Sequence, residues 1–142
     1  MAVIKHTEAE IKLLARLMRA EAESDGKLGM LMVGNVGVNR VLASCLDFVD
    51  IRTVSQMVNQ HPGGFESTLK SYFYQAPRQI DIDLAKRSLA GERYVPATTA
   101  LWFYNPGDND CQAQWYGQWN SGRYKSHCFY GPLPSENCYN GG

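Results

Sequence analysis

The chain has 142 residues, enough for one ordinary domain that buries its own core without staples. Fourteen Lys and Arg residues balance fourteen Asp and Glu residues, so the formal net charge is zero. With no Lys/Arg run in addition, electrostatic capture of nucleic acid or of an anionic membrane is not supported, and a substrate or partner is expected to be held by shape and hydrogen bonds.

At the N-terminus only Ala2 to Ile4 is apolar, too short for a secretory core, and no stretch approaches the roughly 20 apolar residues of a membrane span. The expectation is a chain made in the cytoplasm without an export signal. The first predicted helix runs from Thr7, an N-cap with Glu10 at the capping-box position, to about Glu23. Within it Leu14, Leu17, Met18 and Glu21 fall at i, i+3, i+4 and i+7, so Glu21 continues the apolar stripe. The helix stops at Ser24-Asp25-Gly26, which puts Glu21 near its negative end. Desolvation and the helix dipole both favour the protonated carboxyl there, the condition of a general acid. The alternative is a glutamate that leans into water or pairs with Lys12, Arg16 or Arg19. Glu23 points roughly 200° around the helix from Glu21, away from any site they would share.

A second helix begins near Lys27 and is apolar on nearly every side from Gly29 to Leu42, which predicts a buried central helix. Gly34 and Gly37 would let other backbones approach it. Asn35 and Asn39 share one face, Asn39 lying beside Arg40 at the helix end; buried amides must be bonded, whether to loops or along a cleft. A short helix is predicted over Ile51 to Asn59 with Thr53 as cap, then a turn-rich loop from Gln60 to Glu66. Glu66 is either a second carboxylate facing Glu21 or a first-turn acid on a short helix starting near Ser67. A further helix spans about Arg78 to Ala90 and ends at Gly91. Beyond Pro96 the runs Leu101 to Tyr104 and Tyr124 to Tyr130 alternate with Gly, Asn, Asp and Pro, which predicts short strands and long loops. The tail 132–142 offers little to bury and is expected to be partly loose.

The three tryptophans all lie in this last third. Trp102 and Phe103 read as core. Trp115, Tyr116 and Trp119, set among Gln112, Gln114, Gln118 and Asn120, read as a wet aromatic surface suited to a sugar groove or to a protein partner. Tyr104 and Asn105 are candidate substrate contacts, with Asn105-Pro106 alternatively a turn. His127 is a cleft-lining or structural residue. It adjoins Cys128, but neighbours on a strand face opposite sides, which argues against a nucleophile-base pair. The four cysteines, Cys45, Cys111, Cys128 and Cys138, show no zinc-module spacing. Free structural thiols are expected, with a disulfide among the last three as the alternative under oxidising conditions.

Five separated segments, in order, resemble the SleB/CwlJ family of bacterial cell wall hydrolases. They are Leu14 to Glu23, Gly34 to Arg40, Gly64-Phe65-Glu66, Leu101 to Pro106 and Lys125 to Tyr130. The resemblance implies a lysozyme-like lytic transglycosylase fold, α+β and mainly helical. Its helical part would cover about 7–92 and its small strand-and-loop lobe about 97–131 of one catalytic domain. It implies cleavage of spore cortex peptidoglycan during germination, with Glu21 as the catalytic acid and Glu66 as candidate second carboxylate. The SleB branch usually carries a hydroxyl residue where Glu66 stands. Without a second acid, the muramic-acid hydroxyl of the substrate would close on the anomeric carbon. Asn39, Phe65, Tyr104, Asn105, Trp115, Tyr116 and His127 are the expected substrate contacts. No metal or cofactor is required. The resemblance further implies residence in the spore coat after synthesis in the mother cell, activation by calcium dipicolinate and dependence on the coat protein GerQ. The rival expectation is a coat-associated domain that binds glycan or protein without cleaving it.

Overall fold

The computed structural model of the chain describes residues 4–60, 64–115 and 117–139, with backbone only at Glu66 and Leu69. Helix α1, Glu8–Ala22, starts at the expected capping box: Thr7 N donates to Glu10 Oε1 at 3.0 Å and Glu10 N to Thr7 Oγ1 at 3.1 Å. The other oxygen of Glu10 accepts from the backbone and hydroxyl of Ser55, each at 2.9 Å, which fastens α1 to the short helix α3, Val54–Val58. Thr53 caps α3 with its own box.

Helix α2, Gly26–Leu42, is the central helix that its composition predicts, buried continuously from Gly29 to Val41. A Cβ at Gly34 would strike Ser88 on helix α4, Gln79–Leu89, and one at Gly37 would strike Met57 on α3. Both glycines therefore set how closely the helices pack. Among the described residues no helix is long and apolar enough to cross a membrane.

Asp81, fully buried in the first turn of α4, accepts from Arg78 N at 2.9 Å, Nε at 3.0 Å and Nη2 at 2.8 Å. Burial alone would raise its pKa; the bonds from Arg78 and the charge of Arg19 outweigh it and hold the carboxyl below the usual range. A folded-state pKa below the unfolded value gives stability that is present above about pH 3.9 and lost as pH falls through the folded pKa. Asp81→Asn is expected to cost about 2–3 kcal/mol at neutral pH, less than a fully buried pair because Arg78 is half in water. Urea unfolding followed from neutral to strongly acid pH should show the variant's acid limb flattened relative to the parent.

The sheet has the order β1-β4-β3-β2 and is antiparallel throughout, with β1 Trp102–Tyr104, β2 Gln114–Trp115, β3 Gln118–Tyr124 and β4 His127–Gly131. The aromatic run expected over Tyr124 to Tyr130 is thus divided. Tyr124 closes β3 and pairs with His127 across the turn Lys125-Ser126, where Lys125 adopts φ 47°. β3 escapes sequence patterning because most of its side chains are exposed or polar, and because its register shifts between Asn120 and Gly122. At Gly122, φ 138°, a Cβ would meet Pro96, so the bulge needs glycine. β4 is buried along its whole length, and Phe129 carries it into the helical core.

The expectation of free thiols is corrected: Cys45 bonds Cys138, and Cys111 bonds Cys128. Cys138 joins a second core cluster with Ala43, Cys45, Phe48 and Leu101, and its carbonyl accepts from Ser44 N at 2.8 Å. The described part of the tail is therefore tied to the end of α2, because a buried half-cystine and a backbone bond supply what its composition lacks.

Candidate active site

A groove of about 900 Å³ runs between the end of α1, the loop after α2, the segment near Phe65 and Tyr72, and the sheet. Glu21, half-buried in the last turn of α1, lines it. Ala20, Glu21 and Tyr72 also line a second hollow of about 280 Å³ that extends past Arg19, Glu23 and Gln75, so Glu23 shares this hollow with Glu21 against expectation. Glu21 thus belongs to the lining that the two hollows share.

Arg40, on the last turn of α2, is 4 % exposed and lines the same groove. Its Nε donates to Leu101 O at 2.8 Å, and its guanidinium lies 4.3 Å from the ring centre of Phe65 and 5.1 Å from that of Phe48. Burial pushes its pKa down to about 10, and the charges of Glu21 and Asp47 oppose that shift. Arg40 is consequently a cation at neutral pH, held in an aromatic sleeve within electrostatic reach of the acid. Sequence reasoning weighed burial and the helix end at Glu21 but not this third influence. The signal available was an arginine at the end of an otherwise apolar helix.

Among the described residues, the carboxylates lining the groove are Glu21 and Asp47. Asp47, in the 3-10 turn Leu46–Phe48, is exposed and was not singled out from the sequence. The side chain of Glu66 lies outside the described residues, as does Tyr116; the backbone of Glu66 opens a 3-10 turn, Glu66–Leu69. Phe65 is 6 % exposed and stacks 5.9 Å from Phe103, so it serves as wall as well as lining.

Across the groove Tyr104 lies 5.0 Å from Trp115 and 5.7 Å from Tyr130, centre to centre, a contiguous aromatic wall suited to sugar faces. Asn105 lines the rim, where its Oδ1 accepts from Gly107 N at 2.8 Å, so it is also the turn residue that the Asn-Pro pair suggests. Trp119 is 53 % exposed and stands outside the groove lining. Trp102, read as core, is half-buried and forms part of the groove wall against Phe48.

Asn39 is placed elsewhere than expected. Buried at 3 % exposure, its Nδ2 donates to the carbonyls of Ala97, Thr98 and Ala100 at 3.2, 3.2 and 2.9 Å, and its Oδ1 accepts from Arg93 Nε at 3.1 Å. An amide so buried and absent from the groove lining fixes the loop leading into β1, as Asn35 fixes Glu92 and Tyr94.

His127 lines the groove, with Nδ1 2.8 Å from Asp25 Oδ2, and the Ser126 hydroxyl also donates to Asp25. Asp25 and Ser126 were not recognised in the sequence: Asp25 read as part of a helix stop, and Ser126 as one residue of an aromatic run. Cys128, the neighbour of His127, is bonded to Cys111 and offers no thiolate. Cys45, Glu136 and Cys138 place potential metal-ligand atoms within 4.8 Å of one another, but both sulfurs are spent in the disulfide, which leaves a single carboxylate.

Comparison with known proteins places this geometry in context. A family model described as Cell Wall Hydrolase matches residues 24–130, a span that contains Asp25, Arg40 and His127 and starts just after Glu21. The chain is 65 % identical to cell wall hydrolase CwlJ of Oceanobacillus iheyensis over 136 residues, covering 96 % of each. Its fold is similar to the catalytic domain of SleB from Bacillus cereus, with TM-score 0.70 at 22 % identity over 89 % of this chain and 92 % of that one. It is likewise similar to the catalytic domain of the germination-specific lytic transglycosylase SleB from Bacillus anthracis, with TM-score 0.69 at 21 % identity over 88 % and 96 %.

Proposed function

The chain belongs to the Cell Wall Hydrolase family, and from that premise we propose that it cleaves the glycan strands of spore cortex peptidoglycan during germination, with Glu21 giving its proton to the departing glycosidic oxygen. The observation that carries this reading is the position of Glu21 in the lining that two hollows share, one walled by Tyr104 and Trp115. A polymer can then occupy both sides of the bond to be cut.

Protonation of the leaving oxygen must be matched by a nucleophile at the oxocarbenium-like carbon. Water gives a hydrolase and a reducing end. The substrate's own muramic-acid hydroxyl gives a lytic transglycosylase and an anhydromuramic end. Asp47 joins Glu66 as a candidate second carboxylate, since it lines the groove and its charge is felt at Arg40. Arg40 orders this end of the groove by bridging Leu101, Phe48 and Phe65. Residence in the coat, partnership with GerQ and activation by calcium dipicolinate belong to the same proposal and rest on the resemblance alone.

The test is mass spectrometry of purified cortex after digestion. Anhydromuramic or reducing muramic ends are the expected products, and their ratio assigns the nucleophile. Release of peptides from intact glycan strands would overturn the proposal.

A further inference from the structure

Three polar groups form a hydrogen-bonded cluster beside the groove, and one of them, His127, lines it. Asp25, 4 % exposed, accepts from the Ser126 hydroxyl, 2.8 and 2.6 Å from its two oxygens, and lies 2.8 Å from Nδ1 of His127. A carboxylate only accepts, so the hydrogen of the second contact sits on Nδ1. Nε2 has no hydrogen-bond partner among the described residues, while His127 is among the residues lining the groove that Glu21 lines.

The surroundings are built to hold this arrangement. Phe103 meets the imidazole edge to face at 5.0 Å. Gly29, on the first turn of α2, leaves the space that the Asp25 side chain fills, since a Cβ there would strike it. Asp25 closes the 3-10 turn Glu23–Asp25 directly after α1, so the acid and the anchor of the imidazole sit four residues apart on one continuous stretch of chain.

We propose that Nε2 of His127 is the base that deprotonates the attacking nucleophile, with Asp25 and Ser126 as positioning residues; this rests on the glycan-cleavage reading of the groove. In the step, the Glu21 carboxyl protonates the glycosidic oxygen, the bond from that oxygen to the anomeric carbon breaks, and its electron pair stays on the oxygen. The oxygen of water, or of the muramic-acid hydroxyl, bonds to the anomeric carbon and its proton passes to Nε2. The resulting imidazolium faces the Asp25 carboxylate, which stabilises it. Return of that proton to Glu21 through solvent resets the site, with no net change in the protein. Because His127 supplies the base, neither Asp47 nor Glu66 is needed in that role.

Two measurements decide it. Long-range proton–nitrogen correlation NMR of histidine-labelled parent protein should find the neutral ring of His127 with its proton on Nδ1; a neutral ring with its proton on Nε2 overturns the proposal. His127→Gln should lower kcat by about 10²-fold with KM within about twofold. Asp25→Asn should do the same, and Asp25→Glu should recover part of the loss. A kcat unchanged in His127→Gln, or a rise in KM alone, overturns the proposal. Should Asp25→Asn fail to fold, the kinetics of His127→Gln and the NMR result on the parent decide together. Parallel digestion by the parent separates the two levels: no new glycan ends from the parent sinks the glycan-cleavage reading. New ends released equally by parent and His127→Gln sink the base alone.

Discussion

Glu21→Gln is expected to lose about 10²–10⁴-fold in kcat on cortex glycan, equivalent to about 3–5 kcal/mol of transition-state stabilisation. The amide keeps the shape of the side chain and cannot release a proton to the leaving oxygen. Once it has given up its proton, Glu21 is one of the two negative charges that offset the desolvation of Arg40, and the amide removes that contribution. A secondary cost on the order of 1 kcal/mol in stability should follow, or about 2–4 °C in Tm. Calorimetry beside the rate of glycan-end release keeps the two effects apart. Glu21→Asp completes the experiment, since it retains the charge near Arg40 while withdrawing the carboxyl by one methylene. It should unfold close to the parent yet cleave slowly. A Gln variant that keeps its rate within tenfold of the parent would remove Glu21 as the donor.

The largest stability effect is expected from the double change Cys45→Ser, Cys138→Ser. These residues are separated by 93 positions, and closing so long a loop removes about 4–5 kcal/mol of unfolded-chain entropy in the simplest treatment. Some of that is lost to residual order in the unfolded chain, so a fall of about 3–4 kcal/mol and about 10 °C in Tm is the expected result. Removal of Cys111–Cys128, which spans 17 positions, should cost less, about 3 kcal/mol at most. The long bridge also reaches the groove: Leu46, Asp47 and Phe48 follow Cys45 directly and line it, and Phe48 supports both Trp102 and Arg40. Activity of the double variant should therefore fail at a lower temperature than that of the parent. Equal stabilities for the two disulfide deletions, measured by denaturant unfolding under non-reducing conditions, would mean that the tail contributes little.

The helical half of the molecule was readable because its signals are local. Thr7 with Glu10, and Thr53 as a cap, announce helix starts by side-chain chemistry that acts over three residues. The unbroken apolar run of α2 could only be interior. The sheet was harder, since β3 has neither apolar alternation nor constant register and exists through pairing with β4. In the groove, Glu21 was legible from its place in an apolar stripe. Asp25 was not, because its meaning depends on Ser126 and His127, 101 and 102 residues away. Asn39 misled for the same reason: its buried amide demands partners, but only the folded loop 97–100 shows that the partners are backbone carbonyls. The thiols followed suit, as pairing depends on which loops return to which strands.

If the proposed reading holds, an acid set at the waist of a two-chambered trench would sever its polymer from within rather than nibble at a terminus. Each internal scission roughly halves the strand it acts upon, so mean length collapses after very few events. A stretched mesh treated this way would slacken before sugar fragments diffuse away.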